Sequence, residues 1–169
     1  MLKEIDIKTG DIGIIIKPKT ILGKLIGLFS HNKSHAFNFA REYGILYVYE
    51  MEGGGCLKTR YIESDYINSS NWVLMHPVKP YDQAEFTRFY KMCENVYNVH
   101  SHYDIFALFR HLWFEVAGRY PVERKNNKKF ICSEFSAICT NHARAYTFGN
   151  EQTITPENIF NSKFFSKTC

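Results

Sequence analysis

The stretch that most constrains the fold is Ser34 to Met51, in which two apolar segments flank a short turn. The pattern predicts one strand from Ser34 to Arg41 and a second from Ile45 to Met51, with Arg41-Glu42-Tyr43-Gly44 as the turn between them. A connection of four residues joins neighbouring antiparallel strands, whereas a parallel pair needs a much longer crossover. The chain is therefore expected to build an antiparallel sheet around this hairpin.

The register of this hairpin predicts a polar pair at its open end. With a four-residue turn, Ala40 faces Ile45, and His35 lies opposite Glu50. Side chains opposite each other on one face of a sheet are close enough to interact. An imidazole and a carboxylate at the end of a buried face need a partner or a function, and a slip of one residue would separate them. The residues between them on that face are all apolar, namely Phe37, Phe39, Leu46 and Val48.

A cysteine marks the start of a predicted helix later in the chain. Cys132 lies within Lys128-Lys129-Phe130-Ile131-Cys132-Ser133-Glu134-Phe135, where a short apolar segment gives way to helical spacing. Unpaired backbone N–H groups and the positive end of the helix dipole favour a thiolate at that position. Such a cysteine is a nucleophile if a histidine reaches it, and otherwise it packs in the core. The residues that continue the helical spacing are Phe135, Ile138, Cys139 and His142.

The remaining segments complete an α+β pattern, with Asp82 as the N-cap of one helix. Since no repeat or linker interrupts the pattern, residues 1–169 are expected to form a single domain. The predicted strands are Ile12–Ile16, Cys56–Tyr61 and Trp72–Val78, and the predicted helices are 19–30, Asp82–Val99, the strongly apolar Ile105–Val116, and a short helix that Thr155 caps.

Composition narrows the classes of function. Hydrophobic residues at 45% and aromatic residues at 16% indicate a compact globular protein. The net charge of +4 is a mild excess, so nucleic-acid binding is not expected. Five cysteines at irregular spacing, with no CxxC pair, predict reduced thiols and no structural zinc site. The sequence has no signal peptide and no membrane-spanning run, which predicts a cytoplasmic protein that is free to touch a membrane at its surface.

Taken in order, several motifs resemble a known family. They are Gly10-Asp11-Ile12, Ser34-His35-Ala36, Val48-Tyr49-Glu50-Met51, His102-Tyr103-Asp104, Phe130-Ile131-Cys132-Ser133-Glu134-Phe135 and Thr155-Pro156-Glu157. This order is similar to that of the circularly permuted NlpC/p60 group of papain-like cysteine hydrolases, close to its YiiX-like branch, which includes viral members. The chain departs from the family at Ala36-Phe37-Asn38-Phe39, where a glycine-containing strand is usual, and at His100-Ser101-His102, where a glycine is expected.

The resemblance implies a permuted papain-like fold, with an antiparallel sheet or half-barrel packed against helices. It implies that Cys132 is the nucleophile at a helix N-terminus, that His35 is the general base, and that Glu50 orients the imidazole. Tyr103 aligns with a tyrosine near the oxyanion position. The implied activity is a cysteine hydrolase or acyltransferase that forms an acyl-enzyme on an amide, ester or thioester bond, with no cofactor or metal. Peptide, peptidoglycan and lipid-acyl substrates all fit this chemistry.

Alternative functions stay open at this stage. The main one is a catalytically silent binding protein, or a virion-associated structural protein, with the same fold. Two histidine sets are weaker candidates for a metal site. Ser133, beside Cys132, is a candidate helix cap, and no G-x-S-x-G context supports a serine nucleophile. The histidine sets are His31 with His35, and His100 with His102 and His111.

Overall fold

A computed structural model describes residues 4–18, 23–24, 26–27, 31–104, 113, 129–145 and 147–168. Two predicted helices fall largely outside these residues. Of the helix at 19–30, residues 23–24 and 26–27 are described and are helical, and of the helix at 105–116 only residue 113 is described. Most of the basic connection at 119–129 also lies outside the described residues.

An antiparallel sheet of six strands is the centre of the structure. The strands of this sheet are β1 Ile12–Ile15, β2 His35–Glu42, β3 Ile45–Glu52, β4 Gly55–Arg60, β5 Trp72–Pro77 and β8 Phe165–Thr168, and a separate parallel pair consists of β6 His102–Tyr103 and β7 Lys129–Phe130. The spatial order β4-β3-β2-β1-β5-β8 places the predicted hairpin, β2 and β3, inside the sheet rather than at an edge. The last strand, β8, was not predicted from the sequence.

The predicted hairpin is confirmed, but its predicted register is wrong by two residues. Glu42 pairs with Ile45, so the loop contains only Tyr43 and Gly44, and Phe37 rather than His35 lies opposite Glu50. Both loop residues have positive φ angles, 48° and 84°, as a two-residue type I′ turn requires. This turn matches the twist of the flanking strands, which favours it over the longer loop.

Three described helices pack around this sheet, and their starts agree with the sequence predictions. Helix α1, Gln83–Asn98, begins after Asp82, whose side chain accepts a hydrogen bond from the Glu85 backbone in a capping box. Helix α2 is Cys132–Ala143, and the short helix α3, Pro156–Phe160, follows the Thr155 cap. None of the described helices is long and apolar enough to cross a membrane.

The two faces of the sheet support separate parts of the core. Helix α2 packs with one face, where its Cys132, Phe135 and Cys139 contact the layer that contains Ala40 and Tyr49. The opposite face contains the apolar set predicted from the hairpin, now joined by aromatic residues from the segment after β4. That second layer consists of Ile7, Phe37, Phe39, Leu46, Val48, Tyr61, Trp72 and Leu74. The protein is therefore a mixed α+β fold with an antiparallel sheet packed against helices.

Replacement of Gly13 by alanine is expected to destabilise the fold. A Cβ atom on Gly13 in β1 would overlap the Phe37 ring, which is fully buried and cannot move away. We expect Gly13→Ala to lower the free energy of unfolding by about 1–3 kcal/mol, measured by urea denaturation. Gly53→Ala is the matched control, because nothing lies within 4 Å of the added atom, and its effect is expected to stay within about 0.5 kcal/mol. Equal stabilities for the two variants would contradict this packing.

Candidate active site

The predicted histidine–carboxylate pair forms at the start of strand β2. His35 Nε2 lies 2.9 Å from Glu50 Oε2, although the two residues are diagonal rather than directly opposite neighbours in the sheet. A register shift of two residues leaves every side chain on its original face, so both groups still project from the same side. The Glu50 carboxylate is nearly buried, with 7% of its surface exposed. The carboxylate is therefore shielded from bulk water.

The Cys132 thiol interacts with the imidazole of this pair. Cys132 is the first residue of helix α2, is 4% exposed, and shares a hydrogen bond with His35. His35 therefore interacts with both groups, with Glu50 through Nε2 and with the Cys132 thiol. The backbone N–H groups of Ala36 and Ser133 also donate to the sulfur. The structure thus brings together three of the predicted site residues.

The charges in this site favour a thiolate–imidazolium pair. Burial by itself raises the pKa of the Cys132 thiol, but the charge and hydrogen bond of His35, with the two backbone N–H groups, outweigh burial and lower that pKa below its ordinary value. Burial likewise disfavours protonated His35, but the Cys132 thiolate and the Glu50 carboxylate together raise the pKa of His35 to about 10. The charges therefore favour the proton on the imidazole and the negative charge on the sulfur, which is the form that acts as a nucleophile.

Tyr103 lies close to this pair. It belongs to β6, which pairs in parallel with β7, and its partner Phe130 is two residues before Cys132. Burial and the nearby Cys132 and Asp104 charges raise the pKa of Tyr103, so its phenol stays protonated and can donate a hydrogen bond. Tyr103 also lines the same cleft as His35.

A cleft with a volume of about 590 Å³ opens at this site. His35, Tyr66 and Tyr103 line it, which gives a ligand in the cleft access to the imidazole. Much of its wall is apolar, and the carboxylates of Glu52 and Asp65 lie at its margin. The apolar lining residues include Ile15, Pro18, Ile26 and Met51.

Sequence reasoning missed Tyr66 and the backbone donor of Ala36. The Tyr66 hydroxyl donates to Glu50 Oε2 at 2.5 Å, so this one carboxylate oxygen is bonded to both Tyr66 and His35. Tyr66 lies in the loop between β4 and β5, where no periodic pattern marks it. The Ala36 N–H contact was not predictable because it depends on how α2 docks on β2.

The alternative histidine sites do not assemble among the described residues. His31 Nδ1 lies 2.6 Å from Glu157 Oε2, and the His31 side chain is largely exposed. His100 Nδ1 is bonded to the backbone oxygen of Asn98, and His111 lies outside the described residues. Within the described part of the chain, no group of three or more His, Cys, Asp or Glu side chains could hold a metal ion. Ser133 bonds through its hydroxyl to the backbone oxygen of Ile154, which gives it a structural contact in place of the candidate cap.

Comparison with solved structures identifies the fold. The chain is similar to the metalloprotein YiiX from Escherichia coli O157:H7, with a TM-score of 0.58 over 96% of both chains and 16% sequence identity. No family model matches the sequence, and no curated protein matches it. The chain therefore has a YiiX-like fold.

The first consequence of this geometry is selective thiol reactivity. We expect a small alkylating reagent at neutral pH to modify Cys132 much faster than the other cysteines, because the charge and hydrogen bond of His35 lower the pKa of its thiol. Cys56 is the best control, since it is more exposed than Cys132 but burial raises its pKa to about 12. Peptide mass spectrometry after brief exposure measures both rates. Reaction of Cys132 no faster than that of buried Cys93 would contradict the ion pair.

The second consequence is the pH dependence of that reaction. The alkylation rate of Cys132 is expected to stay high below the ordinary thiol pKa and to fall only when acid protonates the thiolate, with a second change near pH 10 as His35 loses its proton. In His35→Ala, burial remains but the cation is lost, so the thiol pKa should rise above its ordinary value and the rate at neutral pH should drop by about tenfold or more. Identical pH profiles for the two proteins would show that His35 does not act on the sulfur.

Proposed function

We propose that this protein is a cysteine hydrolase or acyltransferase of the circularly permuted papain-like NlpC/p60 kind. It acts on an amide, ester or thioester bond through a covalent acyl-enzyme. One observation supports this proposal above the others: the Cys132 thiol, at the N-terminus of a helix, contacts an imidazole whose Nε2 is bonded to a buried carboxylate.

In the proposed first step, the Cys132 thiolate attacks the carbonyl carbon of the substrate, and the carbonyl electron pair moves to oxygen. The backbone N–H groups at the start of α2 and the Tyr103 phenol are the available donors for that oxyanion. The tetrahedral intermediate then collapses, and the leaving group departs with the proton from His35. A thioester between Cys132 and the acyl group remains.

In the second step, neutral His35 removes a proton from water or another acceptor, which attacks the thioester carbonyl. The thiolate leaves, and His35 is again protonated beside it. Glu50 bonds to Nε2 throughout, so it holds the ring and stabilises the imidazolium. Whether water or another nucleophile resolves the acyl-enzyme decides between hydrolase and transferase.

The apolar lining of the cleft favours one of the possible substrate classes, the one with an apolar acyl group. Peptide, peptidoglycan and lipid-acyl substrates all present a suitable carbonyl, and nothing in the charge distribution favours nucleic acid. The apolar wall that includes Ile15, Ile26 and Met51 is suited to a substrate with an apolar acyl group. A peripheral contact with a membrane would be compatible with a lipid-acyl substrate.

Trapping of the acyl-enzyme tests the proposal directly. The full chain is incubated with activated acyl esters, acyl thioesters and peptide esters, and intact-mass and peptide mass spectrometry locate any adduct. We expect an acyl group on Cys132, no adduct at that position in Cys132→Ala, and a rate lowered by about 10²–10⁴-fold in His35→Ala. Cys56→Ser is the matched control and should keep the wild-type rate. If no substrate acylates Cys132, a non-catalytic binding protein with the same cleft becomes the better account.

A further inference from the structure

We propose that Tyr66 is a positioning residue of this site, which holds the Glu50 carboxylate in the orientation that His35 requires. The inference rests on the proposed function, because the Cys132–His35–Glu50 arrangement gives the contact its purpose. It adds a residue from a loop with no regular structure and no recognisable motif.

The first observation is that Tyr66 and His35 share one acceptor. The Tyr66 hydroxyl lies 2.5 Å from Glu50 Oε2, and His35 Nε2 lies 2.9 Å from the same oxygen. A nearly buried carboxylate with two donors on one oxygen has little freedom to rotate about its terminal bond. Burial and the Glu50 charge raise the pKa of Tyr66, so the hydroxyl stays protonated and remains a donor.

The second observation is that Tyr66 is itself fixed. Its ring stacks on Phe37 with 3.9 Å between centroids and 12° between planes. The Trp72 indole N–H donates to the Tyr66 backbone oxygen at 3.0 Å, which ties the loop to β5. Gly13 in turn leaves the space that the Phe37 ring occupies. A hydroxyl mounted on so rigid a ring can determine where Glu50 points.

The orientation of the Glu50 carboxylate affects the Cys132 sulfur through the His35 imidazole. If the carboxylate turned away, His35 would lose the hydrogen bond that holds its Nε2 and would no longer be held in line with Cys132. The pKa of His35 would then fall, because Glu50 is one of the groups that raise it. Tyr66 therefore acts on the thiolate through the hydrogen bonds that join it to Glu50 and Glu50 to His35.

Tyr66→Phe tests this role, because it removes the hydroxyl and keeps the stacked ring. We expect the alkylation rate of Cys132 at neutral pH to fall by about tenfold and an NMR titration to show a lowered His35 pKa, with the thermal unfolding transition little changed. Tyr61→Phe is the matched control, since Tyr61 is a buried tyrosine of the same aromatic layer whose ring packs on Phe39. In that variant the alkylation rate of Cys132 and the pKa of His35 should both stay unchanged.

A double-variant comparison separates positioning from packing. In a Glu50→Ala background, Tyr66→Phe should cause no further loss, because the hydroxyl acts only through the carboxylate. Unchanged alkylation and an unchanged His35 pKa in Tyr66→Phe would overturn the inference, and so would an equal loss with and without Glu50. The His35 titration reports on Tyr66 even if wild-type Cys132 proves unreactive, an outcome that would count against the proposed function alone.

Discussion

The structure depends on a series of buried polar contacts that runs from the Cys132 sulfur through His35 to Glu50. A buried charge costs folding free energy unless a hydrogen-bond or ion-pair partner compensates it, and removal of one partner leaves the other charge uncompensated. Here every member of the series has donors or acceptors. Backbone N–H groups donate hydrogen bonds to the sulfur at one end of the series, and the Tyr66 hydroxyl donates one to the carboxylate at the other end. The site is therefore a satisfied network, and its polar groups specify one arrangement of helix, sheet and loop.

The fold forms this network by bringing the start of a strand next to the start of a helix. His35 is the first residue of β2, and Cys132 is the first residue of α2. The packing of the helix on the sheet therefore sets the distance between the imidazole and the thiol. Glu50 reaches the imidazole from the neighbouring strand. The aromatic layer behind the sheet, with Phe37 over Gly13 and Tyr66 over Phe37, supports the carboxylate from the opposite side to the helix. Stability and the proposed chemistry thus rely on the same packing.

Comparison of the sequence predictions with the structure shows which physical signals are local. The cap at Asp82 and the helix start at Cys132 were predicted because capping and helical spacing involve only neighbours in the chain. The hairpin register was wrong because a tyrosine at positive φ beside Gly44 made the loop two residues long, a choice that the residue pattern does not favour in advance. The apolar face and the His35–Glu50 contact survived the error, because the side-chain period of a strand is two.

The sequence by itself determined an antiparallel sheet around the hairpin, a thiol at a helix N-terminus, and a histidine and a carboxylate on one face of adjacent strands. Each of these follows from periodicity or capping, which act over a few residues. Only the tertiary structure decided that the sulfur meets the imidazole, that Ala36 donates to it, and that Tyr66 bonds Glu50. Those contacts join segments that are distant in the chain, and their distances are set by the packing of α2, β2 and an irregular loop, for which the sequence has no local signal.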